Sequence, residues 1–151
     1  MKKIIKTLSV FIFLLVSGTS FAASKGYVDI DPAQPTSSGD KIEVLEVFWY
    51  ACPHCFDFEP HLKSWLETKP DDVAFKRMPG IFNKNWMPHA RAYYTAEKLG
   101  VLEKIHTPLF DAIHKEKRKI HTDDAFEKFF ASHGVDKSKF AEIYESEEIT
   151  N

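Results

Sequence analysis

Residues 49–58, WYACPHCFDF, hold both cysteines of this chain, Cys52 and Cys55. The two cysteines follow a continuous apolar run, residues 41–50, in which β-branched and aromatic side chains predominate. A run this continuous is typical of a strand that is buried on both faces, and it is too short for a buried helix. We therefore predict a central buried strand that ends just before the cysteine pair.

The residues after the first cysteine predict a helix and then a second strand. Pro53 fits the first turn of a helix, where its missing N–H costs nothing, and apolar residues recur at helical spacing to about Thr68. Pro60 should kink this helix because it removes one backbone hydrogen bond. Residues 73–78 are a second strand candidate. The order strand, helix, strand predicts a parallel, right-handed βαβ unit.

This position at a strand-to-helix turn predicts different roles for the two cysteines. Cys52 falls at or near the N-cap, where the positive end of the helix dipole favours a thiolate, the form that attacks disulfides. Cys55 lies one turn further on and can reach back to close the ring. We therefore expect Cys52 to attack and a more shielded Cys55 to resolve. His54 adds a nearby donor that would stabilise the Cys52 thiolate, and a stabilised reduced form makes the disulfide a stronger oxidant.

Other uses of the cysteine pair are less favoured. A structural disulfide that closes so short a loop removes little chain entropy. A structural zinc site needs four ligands, and the chain has neither a second cysteine pair nor a histidine pair at finger spacing. Covalent haem would require a histidine directly after Cys55, where Phe56 stands. We predict no metal and no cofactor, and we expect the histidines other than His54 at the surface or at helix ends.

The first residues have the pattern of a secretory signal peptide at residues 1–22. A lysine-rich start precedes an apolar segment at residues 8–16, and small residues follow at Ser20 and Ala22. The alternative, an uncleaved membrane anchor, is less favoured because the apolar segment is shorter than the ~20 residues that span a bilayer. We predict cleavage after Ala22 and export to a compartment where disulfides persist.

Cleavage there would also change the charge of the chain. Removing Lys2, Lys3 and Lys6 from the 20 basic residues leaves 17 against 22 acidic residues, a formal charge of −5. A mildly acidic surface gives no reason to expect nucleic-acid binding, and the basic run at residues 115–119 is expected at a solvated helix end. The length predicts one domain, preceded by a loop rich in Pro and Ser at residues 31–40.

The rest of the chain predicts helices. Apolar residues recur at helical spacing from residue 88 to about residue 99, with Gly100 as a stop, and again at residues 102–113. Thr122 and Asp136 are candidate N-caps of two later helices, and Gly134 is a candidate C′ residue between them.

These residues together resemble the thioredoxin superfamily, and within it the DsbA family of periplasmic thiol:disulfide oxidoreductases. The motif at residues 52–55 has Pro-His between its cysteines, as in that family, whereas reducing thioredoxins have Gly-Pro. Residues 44–48 resemble the strand before the motif in DsbA proteins. Residues 99–101 and 107–110 resemble parts of the helical insertion that these proteins carry.

The resemblance runs from about Tyr27 to the end of the chain. It implies that residues 27–82 form the N-terminal βαβ part of a thioredoxin domain and that residues 83–151 form the helical insertion. Thioredoxin folds continue with an antiparallel hairpin, whose cis-proline faces the cysteines, and with a final helix. Nothing after Pro108 matches that part. We therefore expect an α/β, thioredoxin-like fold with an inserted helical domain, lacking the C-terminal β-hairpin and final helix.

The family implies an exported oxidant with Cys52 as nucleophile, Cys55 as resolving thiol, and Pro53 and His54 completing the motif. It would introduce disulfide bonds into unfolded, newly exported proteins in the periplasm. A quinone-linked membrane oxidase, DsbB, would re-oxidise it, and we expect a monomer.

Three alternatives to the oxidase stay open. Another extracytoplasmic thioredoxin-like reductase or isomerase would share the cysteines, although such an isomerase would usually bring a dimerisation domain. A non-enzymatic binding module would tolerate Cys52→Ser. An inactive, truncated fragment would be poorly stable alone, because open sheet edges and helix faces invite aggregation.

Glu46 lies on the first predicted strand, upstream of Cys52. A buried carboxylate needs a partner, and Arg77 on the neighbouring predicted strand could supply it. Because DsbA proteins often carry an acid–base pair beneath the active site, we predict that Glu46 and Arg77 pair there and assist proton movement to Cys55. The alternative places Glu46 at a wet strand edge.

Overall fold

The computed structural model describes residues 26–150, so the expected signal peptide at residues 1–22 lies outside the described residues. The chain divides after Pro35 into two units. The described part of the first unit, residues 26–35, contains neither helix nor strand. The second unit carries the helices and strands given below, and no helix in residues 26–150 is long and apolar enough to cross a membrane.

Two parallel strands and the helix between them open the second unit. Strand β1 (Ile42–Phe48) pairs in parallel with β2 (Val73–Pro79), and α1 (Pro53–Leu66) connects them. In this register Glu46 lies beside Arg77. Pro60 falls inside α1, as expected. The predicted βαβ unit is therefore confirmed.

Helices follow β2 to the end of the described chain: α2 (Met87–Lys98), α3 (Leu102–His114), α4 (Asp123–Ser132), α5 (Lys137–Tyr144) and α6 (Glu147–Thr150). The side chains of Thr122 and Asp136 accept backbone N–H groups at 3.3 and 3.0 Å, which confirms both N-caps. Gly100 and Gly134 have φ values of 67° and 79°, a conformation that glycine adopts without steric strain. The predicted caps at Thr122 and Asp136 and the predicted stops at Gly100 and Gly134 are thus confirmed, whereas α6 was not predicted.

An aromatic core joins the helices to the end of β1. Its largest fully buried rings include Phe48, Tyr50, Phe110, Phe126, Phe129, Phe130 and Tyr144. The Phe110 ring of α3 lies 5.9 Å from that of Phe48, 5.0 Å from that of Tyr50 and 6.2 Å from that of Phe56. Contacts at these distances between ring centroids are favourable beyond simple burial. One ring of α3 therefore holds β1 and the start of α1 together.

The prediction that the first strand is buried on both faces is wrong. Leu45 and Val47 are 45% and 48% exposed, and they alternate with the half-buried Glu46 and the buried Phe48. Within residues 26–150, β1 pairs only with β2. Full burial of a strand requires cover on both faces, so β1 here has one inner and one open face.

The expectation that the histidines lie at the surface or at helix ends is wrong for His89 and His106, which are buried. Each ring finds a hydrogen-bond partner in the interior. His89 Nε2 lies 2.8 Å from the carbonyl oxygen of Ile120, and His106 Nδ1 lies 2.9 Å from the hydroxyl of Tyr50. A satisfied ring nitrogen removes much of the cost of burying an imidazole.

We expect Phe110→Ala to lower the free energy of unfolding by about 3–5 kcal/mol, because it leaves a cavity where three elements meet. Phe110 is 1% exposed. Phe82→Ala is the matched control, since Phe82 is 78% exposed and its loss should change stability by about 0.5 kcal/mol or less. Urea denaturation of both variants measures the difference, and equal losses would contradict the central place of Phe110.

Candidate active site

The two thiols lie at the beginning of α1. Cys52 is the N-cap residue, with an extended backbone, and its Sγ accepts a hydrogen bond from the Cys55 N–H at 3.4 Å. Cys52 N–H in turn donates to the carbonyl of Trp49 at 2.9 Å, which closes the turn after β1. Both cysteines are half-buried free thiols. The predicted position of Cys52 at the helix N-cap is confirmed.

The surroundings of Cys55 favour its protonated form. Burial raises the pKa of the Cys55 thiol to about 11, against an opposing hydrogen bond with the Trp49 backbone. Hydrogen bonding to Cys52, the charge of Cys52 and the charge of Glu46 add to the increase. Cys55 therefore holds its proton at neutral pH, and its role as the resolving thiol stays a prediction.

Pro53 and His54 complete the motif at the protein surface. Both side chains are exposed. Among the described residues, the structure gives the His54 ring no hydrogen bond and no ring contact. The role of His54 in stabilising a Cys52 thiolate therefore stays a prediction.

The expected contact between Glu46 and Arg77 is present, and it is not at a wet edge. Arg77 Nε donates to Glu46 Oε2 at 2.8 Å, and the two side chains are only 15% and 12% exposed. The parallel register of β1 and β2 places the pair side by side. The part that this pair plays in proton movement to Cys55 stays a prediction.

The ion pair belongs to a larger cluster that sequence reasoning missed. Arg77 Nη2 also donates to both carboxylate oxygens of Glu59, at 3.3 and 3.2 Å. Glu59 Oε1 lies 3.3 Å from His106 Nε2, and His106 Nδ1 lies 2.9 Å from the hydroxyl of Tyr50. Five polar side chains, from β1, the turn that follows it, α1, β2 and α3, are thus connected in one line.

Two of the missed residues had a signal in the sequence. Glu59 shares its turn of α1 with apolar positions at helical spacing, so it could have been placed on the inner face. His106 lies between Ile105 and Leu109, on the face of α3 that carries apolar residues. A polar residue inside an apolar stripe indicates a buried partner, but the partner itself requires the tertiary structure.

The environments of the two carboxylates separate their acidities. Burial raises the pKa of Glu46, although Arg77 opposes the increase. Burial also acts to raise the pKa of Glu59, but hydrogen bonds from His106 and Arg77 and the positive charge of Arg77 outweigh it, so that the pKa is lowered. Two neighbouring acids whose pKa values move apart are suited to different roles, one exchanging a proton and one remaining charged.

Nothing in the described part of the chain suggests a metal centre, since residues 26–150 contain no group of three or more His, Cys, Asp or Glu side chains able to hold an ion.

A parallel βαβ unit with a thiol pair at the start of its helix defines a protein of the thioredoxin-like class. Comparison with known proteins agrees, because the family model of the DSBA-like thioredoxin domain matches residues 76–151. The thiol:disulfide interchange protein DsbA of Burkholderia cepacia is 38% identical over 152 residues, covering 97% of this chain and 72% of that protein. The chain therefore belongs to the DsbA family and has its thioredoxin-like fold.

Other relatives extend further than this chain does. DsbA of Azotobacter vinelandii is 40% identical over 131 residues, which cover 87% of this chain and 61% of that protein. A crystal structure of a variant of Pseudomonas aeruginosa DsbA superposes with a TM-score of 0.80 at 42% identity, covering 86% of this chain and 70% of the other. The chain thus spans about three fifths to three quarters of these relatives.

The high pKa of Cys55 predicts selective alkylation. At pH ~8, iodoacetamide should modify Cys52 and leave Cys55 largely unmodified, because the Cys55 thiolate fraction is then on the order of 0.1%. Cys52→Ala is the control, since it removes the hydrogen bond and the charge of Cys52 and should lower the pH at which Cys55 reacts. Mass spectrometry of the labelled peptides gives both results, and equal labelling at pH 8 would be inconsistent with this environment.

Proposed function

We propose that this protein is a thiol:disulfide oxidoreductase that introduces disulfide bonds into newly exported proteins. The observation that carries the proposal is the pair of cysteines at the N-cap of α1, one at the cap itself and one holding a proton beneath it. Membership of the DsbA family supports this activity, because the relatives named above are thiol:disulfide interchange proteins.

The proposed reaction starts from the disulfide between Cys52 and Cys55. A substrate thiolate attacks Cys52 Sγ, a substrate–Cys52 disulfide forms, and Cys55 leaves as a thiolate that takes up a proton. A second substrate thiolate then attacks the substrate sulfur of that mixed disulfide and releases Cys52. Two substrate thiols lose two electrons to form a disulfide, and the two enzyme cysteines gain them. The thiol protons of the substrate balance those taken up by the enzyme.

The ion pair of Glu46 and Arg77 supports the proton step of this reaction. Glu46 lies close enough to Cys55 for its charge to raise the pKa of that thiol. Because its own pKa is raised by burial, Glu46 can hold a proton at a pH where an exposed glutamate has lost it. We assign Glu46 as the group that delivers a proton to the departing Cys55 thiolate, with Arg77 holding it in place. His54, on the surface beside Cys52, is assigned to stabilise the Cys52 thiolate.

The setting of this activity is also part of the proposal. Substrates are unfolded proteins with free thiols, the compartment is the periplasm, and residues 1–22 direct the chain there. A quinone-linked membrane oxidase of the DsbB type restores the disulfide, since each turnover leaves the protein reduced. The protein acts as a monomer, with residues 27–82 as the thioredoxin part and residues 83–151 as the helical insertion.

We expect Cys52→Ser to abolish oxidation of a reduced, unfolded protein, because no disulfide can form without the attacking thiol. Cys55→Ser should also be inactive as an oxidase. If its Cys52 is first converted to a mixed disulfide with glutathione, however, a substrate thiolate should displace glutathione as a thiolate and leave a substrate–Cys52 disulfide, visible by non-reducing electrophoresis. Recovery of native disulfides in reduced ribonuclease measures the activity, with His121→Gln as a control for an exposed residue outside the site. Equal oxidation by the parent and Cys52→Ser would refute the oxidase, and no oxidation by the parent together with peptide binding retained in Cys52→Ser would favour a binding module.

Glu46→Gln should change the pH dependence of thiol–disulfide exchange. In the parent the step that releases Cys55 slows as pH rises through the pKa of Glu46, because the carboxyl loses its proton. The amide has no such transition, and removing the carboxylate charge should lower the pH at which Cys55 reacts with iodoacetamide. Stopped-flow rates with a thiol peptide between pH 4 and 8 measure the first effect. An unchanged profile would exclude Glu46 from the proton step.

A further inference from the structure

The buried cluster holds more negative than positive charge when both carboxylates are ionised. Glu46 and Glu59 share the single guanidinium of Arg77, which bonds to the first through Nε and to the second through Nη2. An uncompensated charge in a buried site is costly, so the cluster tends to bind one proton. Three groups could carry this proton: Glu46, Glu59 and the imidazole of His106.

Tyr50 makes His106 a poor place for that proton. The Tyr50 hydroxyl is fully buried, and within residues 26–150 its hydrogen-bond partner is His106 Nδ1 at 2.9 Å. When His106 is neutral with its hydrogen on Nε2, Tyr50 donates to Nδ1 and Nε2 donates to Glu59, so every group is satisfied. When His106 is doubly protonated, Nδ1 can no longer accept, and the buried hydroxyl of Tyr50 loses its acceptor.

Glu59 is equally unsuited to take the proton. It accepts from Arg77 Nη2 through both oxygens and from His106 Nε2 at 3.3 Å, and all of these donors favour the ionised form. Glu46 accepts from Arg77 alone among the described residues. Glu46, with one donor residue, therefore accepts the proton before Glu59, which has two donor residues.

We propose that His106, fixed as the Nε2–H tautomer by Tyr50, is a positioning residue that keeps Glu59 ionised and so leaves Glu46 as the carboxyl group that exchanges protons with Cys55. The importance of Cys55 in this inference rests on the proposed function. The distribution of protons among Glu46, Glu59 and His106 does not depend on the proposed function. His106 touches neither cysteine in this arrangement and acts through Glu59 and Arg77.

The groups that face His106 come from each element around it. They are Tyr50 in the turn after β1, Glu59 on α1 and, at a ring distance of 6.3 Å, Tyr93 on α2. Glu46 on β1 acts on His106 through its charge, and Arg77 on β2 reaches it through Glu59. Tyr93 stays neutral at physiological pH, because burial raises its pKa to about 12. The balance of charge around His106 therefore depends on the two glutamates and Arg77.

Carbon-13 NMR of the glutamate carboxyl groups in the purified protein tests the proposal without a substrate. In the parent, the Glu46 midpoint should lie above that of an exposed glutamate and the Glu59 midpoint below it. Tyr50→Phe keeps the buried ring and removes the hydroxyl. His106 is then free to bind the proton, and the Glu46 midpoint should fall by about one pH unit. Nitrogen-15 shifts of the imidazole report which ring nitrogens of His106 carry a hydrogen in each protein.

Two substitutions at residue 106 test the same point if Tyr50→Phe perturbs the fold. His106→Leu removes the donor to Glu59, so the Glu59 midpoint should rise and the Glu46 midpoint should fall. His106→Gln keeps an N–H donor and cannot become charged, so it should preserve the order of the parent. His121→Gln is the control, because His121 is exposed and lies outside the cluster.

A Glu59 midpoint above that of Glu46 in the parent would overturn the proposal, as would titrations unaffected by both Tyr50→Phe and His106→Leu. Failure of the proposed function has a different signature. The carboxyl midpoints would then respond as described, while the parent protein would transfer no disulfide to reduced ribonuclease.

Discussion

The attachment of Tyr50 to α3 is the interaction on which the active site depends. The hydroxyl of Tyr50 is bonded to His106, and its carbonyl oxygen is bonded to His114 Nε2 at 2.8 Å, about two turns further along the same helix. Cys52 follows two residues later and begins α1. Since one residue is held at both its side chain and its backbone, the turn that presents the thiols cannot move independently of the helical part.

The second constraint is the sharing of one guanidinium between two buried acids. A symmetrical arrangement would give Glu46 and Glu59 similar acidities, and the cluster would have no preferred site for a proton. The donor from α3 removes that symmetry, because it reaches Glu59 and not Glu46. Helix α3 therefore supplies a hydrogen-bond donor to the polar cluster as well as packing contacts, although it lies far from the cysteines in sequence.

The sequence predicted the local features of this protein better than its tertiary ones. The strand–helix–strand order, the N-cap position of Cys52 and the caps at Thr122 and Asp136 follow from spacing and side-chain type. The sequence did not show that β1 has one open face, because an apolar run does not indicate how many elements pack against the strand. His106 was misjudged for a related reason, since its burial depends on a hydroxyl supplied by Tyr50, which is distant in sequence.

The buried line of polar groups also limits how this protein can change over evolution. Tyr50, His106, Glu59, Arg77 and Glu46 each hydrogen-bond a neighbour that is largely shielded from water, so replacing one leaves the next without its partner. If an apolar residue replaced His106 in a lineage, a change at Glu59 would therefore be favoured as well. These five positions should therefore change together during evolution, so that substitutions among them are found in compatible sets rather than singly.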